Sequence, residues 1–202
     1  MKGKFITFEG SEGCGKSTQS KLLYQYLKDK RYPVVYLREP GGVKVSEKIR
    51  ELLLSPESDI CPESETLLYM AARAQVVNDI IKPALLKGKI VISDRFMDST
   101  IVYQGFGLGI DLKTIKNIGN FATGGIIPDL TIFLDLPVEK GLKHRHEKED
   151  RIEMRPLAYH KKVRIGYLKL ASLEPKRIKI VKVDKELSVT QEKVRALCHL
   201  VI

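Results

Sequence analysis

Apolar positions along the chain fall into two alternating patterns. Short runs rich in β-branched and aromatic residues, Lys4 to Phe8, Pro33 to Leu37, Ile90 to Ser93, Leu130 to Leu136 and Arg177 to Val183, have the length and composition of β-strands. Amphipathic stretches separate them. Lys21 to Lys30 repeats Leu22, Leu23, Tyr26 and Leu27 at helical spacing, and Pro62 to Leu86, Leu112 to Ala122, Ala158 to Leu173 and Ser188 to Leu200 read the same way. This alternation predicts an α/β fold with a parallel sheet, and the near-continuous apolar strands agree with burial on both faces. No repeat at solenoid periods and no linker appears, so residues 1–202 are expected to form a single domain. The charged stretch His144 to Pro156 is poor in core-forming residues and reads as a mobile surface segment.

The first strand runs straight into Gly10-Ser11-Glu12-Gly13-Cys14-Gly15-Lys16-Ser17, then Thr18 and a helical pattern. This is a full GxxxxGK[ST] match. Its glycines let the backbone curl so that N–H groups converge on a phosphate, and the following helix adds its positive N-terminal end. Residues 10–18 are therefore expected to bind a nucleoside triphosphate, with Lys16 reaching the β/γ oxygens, the Ser17 hydroxyl coordinating Mg²⁺, and Cys14 acting as a small spacer. The implied architecture is the three-layer P-loop NTPase fold, with a central, mainly parallel five-stranded sheet covered by helices on both faces.

Composition narrows the classes. With 43% hydrophobic and 30% charged residues, 15 Gly and 9 Pro, the 202-residue chain is neither collagen-like, low-complexity nor disordered. Its apolar runs are too short to cross a bilayer and its first residues lack a signal-peptide pattern, so no membrane partner is expected and a cytoplasmic location is. Cys14, Cys61 and Cys198 are too scattered for a disulfide framework or a zinc site. The net charge of +10 is concentrated from Val138 to Lys182, where fourteen Lys/Arg face six Asp/Glu, a balance that suits a phosphate. RNA-binding signatures and a second helicase-type motif are missing, so no nucleic-acid partner is expected.

Arg38 and Arg95 follow strand ends, and Arg73 lies in a helical stretch. In open α/β sheets ligands sit beyond the carboxyl ends of strands, so Arg38 and Arg95 should emerge beside the phosphate loop, where guanidinium forks suit a second phosphate. With Phe8-Glu9-Gly10, Arg38-Glu39-Pro40-Gly41-Gly42, Tyr69 through Arg73, Asp94-Arg95-Phe96, Ser99 through Gly105, Pro128-Asp129-Leu130, Leu134-Asp135-Leu136 and Asp150-Arg151-Ile152-Glu153, the chain resembles the thymidylate kinases, P-loop nucleoside monophosphate kinases. The likeness spans about residues 4–185.

The resemblance implies phosphorylation of dTMP to dTDP by in-line transfer from ATP with Mg²⁺, in a homodimer that pairs through helices such as Pro62 to Ile81 and Leu112 to Ala122. It implies that Arg73 bonds the thymine edge while Tyr69 stacks on its face. Thr100, Tyr103 and Gln104 would read the pyrimidine, and Glu9 would face the deoxyribose. Arg95 and Arg38 would hold the acceptor phosphate, beside Pro40 in a candidate cis Glu39-Pro40 bond. Asp94 would serve Mg²⁺ and Asp135 would be structural. A lid over residues 144–156 would supply the arginine that stabilises the transferring phosphoryl group: Arg151 foremost, with Arg145 and Arg155 as alternatives. Other readings are a monophosphate kinase for another base, a nucleic-acid-dependent ATPase, or a non-catalytic nucleotide binder.

Overall fold

The computed structural model describes residues 3–143 and 150–202. Five strands, β1 (Lys4–Glu9), β2 (Val34–Arg38), β3 (Ile90–Asp94), β4 (Leu130–Asp135) and β5 (Ile178–Lys182), form one sheet in the order β2-β3-β1-β4-β5. Every neighbouring pair is parallel. The five expected strands are thus present to within a residue or two at each end.

Helices cover both faces. On one, α1 (Lys16–Asp29) and α9 (Leu187–Cys198) bury Leu23, Leu27 and Val194 against Ile6, Phe8, Ile92, Ile132 and Val181. The other face takes α3 (Pro62–Val76), which passes through a π-helical turn (Val77–Ile81) into α4 (Lys82–Leu86); α6 (Leu112–Thr123); and α8 (Leu157–Leu173). Alternation along β1 assigns Ile6 and Phe8 to the first layer and Phe5, Thr7 and Glu9 to the second.

Three helical elements lie outside the stretches expected from periodicity. α2 (Lys44–Leu54) follows β2 and packs on α3. α5 (Met97–Thr100), continued by a π-helical stretch (Ile101–Gly107), occupies a segment whose Ile-Val-Tyr run and two glycines have poor helix propensity. Packing overrides propensity there: the Gly105 Cα lies against Leu112 and Ile115, and Gly107 lies against the Tyr159 ring. α7 (Val138–Leu142) seats its Gly141 backbone on the Glu12-Gly13 backbone.

Candidate active site

The C-terminal ends of β1, β2 and β3 open into a cavity of about 650 Å³. At its floor lies the loop between β1 and α1. Gly13 and Gly15 hold φ of 68° and 86°, conformations that cost an L side chain energy, and Gly13 also leaves no room for a Cβ beside Gly141. The Lys16 ammonium donates to the Ser11 carbonyl at 2.7 Å. The Ser17 hydroxyl donates to Asp94 Oδ2 at 2.5 Å, so a hydroxyl and a carboxylate meet at the foot of the loop. Two hard oxygen donors beside a phosphate-binding loop fit Mg²⁺, which is held by few protein oxygens and completed by phosphate and water. Among the described residues no group of three or more His, Cys, Asp or Glu could hold a metal, so a dedicated protein cage is not the alternative. Burial pushes the Cys14 thiol up despite Lys16 and Arg95, which keeps it protonated and suits a spacer.

Arg95 stands beside this loop. Its backbone is left-handed, with φ 74°, a strained state for a non-glycine residue, held by its N–H donating to the Phe8 carbonyl. The guanidinium donates to Glu12 Oε1 at 2.6 Å and to the Tyr103 hydroxyl at 3.1 Å, and lies over the Tyr103 ring. Burial raises the Glu12 carboxyl, yet Arg95 and Lys16 outweigh it and hold the group at about 2. Arg38 lines the same cavity and pairs with Glu47 at 3.4 Å. The Glu39-Pro40 bond is cis. Arg50, from α2, donates to the Pro40 carbonyl at 3.0 Å.

At the opposite end, Arg73 reaches in from α3. Its Nε donates to Glu39 Oε2 at 2.7 Å, Nη1 to Thr100 Oγ1 at 2.9 Å and Nη2 to the Phe96 carbonyl at 3.0 Å. Only 2% of Arg73 is exposed. Tyr69 sits one turn earlier on the same helix, and Tyr103 and Gln104 line the facing wall.

Of the expected residues, Glu12, Gly13, Gly15, Lys16, Ser17, Thr18, Arg38, Pro40, Tyr69, Arg73, Asp94, Arg95, Thr100, Tyr103 and Gln104 converge on this one cavity. Gly10, Ser11 and Cys14 belong to the loop but do not line it. Arg145 lies outside the described residues.

Two expected residues, Glu9 and Arg151, are held by contacts outside the cavity lining. Glu9, expected to face the sugar, is fully buried and points with Phe5 and Thr7 into the helix layer, where Phe96 N–H, Ser99 Oγ and Tyr167 OH donate to it at 2.8, 2.6 and 2.7 Å. Strand alternation is the reason, and of the two glutamates at this end of β1 and in the loop after it, Glu12 is the one that lines the cavity. Arg151, expected to stabilise the transferring phosphoryl group, makes its contacts on α2 and α3: its Nη2 meets Glu65 Oε2 at 2.6 Å and its Nε the Leu53 carbonyl at 2.9 Å. A wholly buried carboxylate draws the guanidinium onto the α2–α3 pair. Arg155 meets the same Glu65 oxygen at 2.6 Å.

Sequence reasoning gave no site role to Arg50, Leu54, Glu39, Ser99, Asp150, Ile152 or Glu153, all of which line the cavity. For Arg50 and Leu54 a signal existed, since Val45, Ile49, Leu52 and Leu53 repeat at helical spacing.

A phosphate loop, a strained arginine beside it and a buried arginine at the far end share one cavity, and comparison with known proteins decides the family. A family model described as thymidylate kinase matches residues 8–194. The chain belongs to the thymidylate kinase family. Membership makes it a phosphotransferase. It is 48% identical over 188 residues to a thymidylate kinase of Thermoanaerobacter sp. (strain X514), covering 93% of each chain. With the thymidylate kinase of Carboxydothermus hydrogenoformans the identity is 53% over 174 residues, covering 85% of each. A crystal structure of thymidylate kinase from Ehrlichia chaffeensis superposes with a TM-score of 0.82 at 33% identity, covering 98% of this chain and 100% of that one. The three-layer arrangement seen here is thus the thymidylate kinase fold.

Proposed function

We propose that the chain transfers the γ-phosphoryl group of ATP to dTMP, giving dTDP and ADP, with Mg²⁺. The observation that carries this reading is a single cavity in which the Lys16 loop, the Arg95 and Arg38 guanidiniums and the Arg73 pocket occur together. A triphosphate lies along the loop, on the α1 N-terminus and Lys16. Arg95 and Arg38 receive the acceptor phosphate, Tyr69 stacks on the base, and Arg73 donates to a base carbonyl.

The acceptor oxygen is already anionic, so the chain's residues need to position and neutralise, and no nucleophilic side chain is called for. Mg²⁺, at Ser17 and Asp94, would offset negative charge on the donor phosphates. Release of the Lys16 ammonium from the Ser11 carbonyl frees it for the β/γ oxygens. Glu12, within the loop, keeps Arg95 aligned and offers an acceptor to a sugar hydroxyl.

A homodimer is part of the proposal. Leu67 on α3 and Phe121 on α6 are 54% and 88% exposed, and these helices pack side by side, leaving apolar area for a second copy. Among the described residues no helix is long and apolar enough to cross a membrane.

Incubation with Mg-ATP labelled in the γ-phosphoryl group tests the reaction. Label should move into dTDP when dTMP is present and stop when a chelator removes Mg²⁺; label appearing as inorganic phosphate instead would refute the transfer.

A further inference from the structure

Glu65 lies on α3, wholly buried and outside the cavity lining. Three N–H donors converge on its two oxygens. Arg151 Nη2 and Arg155 Nη2 each stand 2.6 Å from Oε2, and Gln104 Nε2 stands 2.8 Å from Oε1. A carboxylate that holds two guanidiniums is an acceptor only, so the end of the Gln104 amide that meets it is the NH₂ group. The other end, the carbonyl oxygen, accepts no hydrogen bond among the described residues and is not sealed from the cavity that Gln104 lines. Thr100, four residues earlier on the same helical run, receives Arg73. An acceptor, Gln104 Oε1, and a donor group, the Arg73 guanidinium, therefore belong to residues that line the same cavity.

We propose that Glu65 is a positioning residue for base selection: held by Arg151 and Arg155, it locks the Gln104 amide so that its carbonyl faces the bound base. The inference rests on the reading of the site as one for thymidylate. Thymine and uracil carry a ring N–H beside a carbonyl and satisfy both partners. Cytosine carries a bare ring nitrogen beside an amino group, the opposite polarity, and would leave buried groups unpaired. An amide free to turn over could serve either base, so discrimination depends on what holds it. Glu65 touches no ligand and acts through Gln104.

The test compares kcat/KM for dTMP, dUMP and dCMP in the wild type and in Glu65→Gln. The substituted amide can donate as well as accept, so Gln104 is free to invert. The dTMP-to-dCMP ratio should fall by at least about tenfold, mostly through KM for dTMP, while the dTMP-to-dUMP ratio stays within about twofold because both share one imide edge. Loss shared equally by all three substrates is what general loosening would give, and it overturns the proposal. A wild type that does not phosphorylate dTMP overturns the underlying reading instead. A second measurement does not depend on the variant folding: in ¹⁵N-labelled wild type, the Gln104 Nε2–H bound to Glu65 should keep its shifted resonance and slow solvent exchange when dTMP is added. Loss of that signal on binding shows that the amide turns, and overturns the lock.

Discussion

Arg73 Nε lies 2.7 Å from Glu39 Oε2, with 2% and 3% of the two side chains exposed. Both residues line the cavity, and the pair joins α3 to the turn that follows β2. Burial raises the Glu39 carboxyl, and the Arg73 guanidinium opposes that rise.

Truncating one partner strands the other. Arg73→Ala should lower kcat/KM for dTMP by about 10²–10³, combining a lost charge-assisted hydrogen bond with a displaced Glu39. Unfolding free energy should drop by about 3–5 kcal/mol in the same variant, the cost of leaving a buried charge unpaired. Steady-state kinetics and urea titration check the two halves separately.

Glu9 makes stability depend on pH. Burial and the nearby Asp98 raise its carboxyl to about 7, against the hydrogen bonds from Ser99 and Tyr167. Between about 4.5 and 7 the folded chain keeps a proton that the unfolded chain releases, so the unfolded state binds fewer protons and stability falls as pH rises. The contribution is whole below about 4.5, is lost as pH passes 7, and amounts to about 3 kcal/mol. Glu12 acts oppositely and elsewhere, losing stability only as pH falls from about 4.5 toward 2. Urea titrations at pH 5 and pH 8 should show the decline in the wild type and its near absence in Glu9→Gln.

Arg151 is an anchor in this structure, and kinetics can separate that from a role in transfer. Arg151→Ala should cost about 2–4 kcal/mol of stability through the stranded Glu65, with kcat reduced less than about tenfold. A loss of about 10³ in kcat with unchanged stability would show that the side chain works at the phosphoryl group.

Lys16→Ala separates the donor site from the acceptor site. It should lower kcat by about 10²–10³ while KM for dTMP changes little, because the ammonium acts on the triphosphate alone. Binding of dTMP measured by calorimetry should persist in the variant.

Much of this was legible beforehand, for physical reasons that differ by element. The strands were plain because burial on both faces leaves almost no polar residue in Ile90–Asp94 or Leu130–Asp135 before their ends. The phosphate loop was plain because its glycines answer a backbone requirement. The contacts of Glu9 were not legible from its motif, because position in a motif says nothing of which face a strand residue takes; counting in twos from Phe5 gives its layer. The contacts of Arg151 were hidden for another reason. Its partner Glu65 lies 86 residues away and becomes a buried anion only after α3 and the 150–155 segment pack together. The helical run 97–107 is a third case, in which packing on α6 and α8 decides against local propensity.

The acceptor spectrum tests the central claim most directly. Purified protein with Mg-ATP should be given dTMP, dUMP, dCMP, dGMP, UMP or no acceptor, and ADP and nucleoside diphosphate quantified in each. The account predicts ADP and dTDP in equal amounts, formed fastest from dTMP, with almost no ADP when no acceptor is present. ADP release that ignores the acceptor, or another monophosphate taken in preference to dTMP, would contradict it.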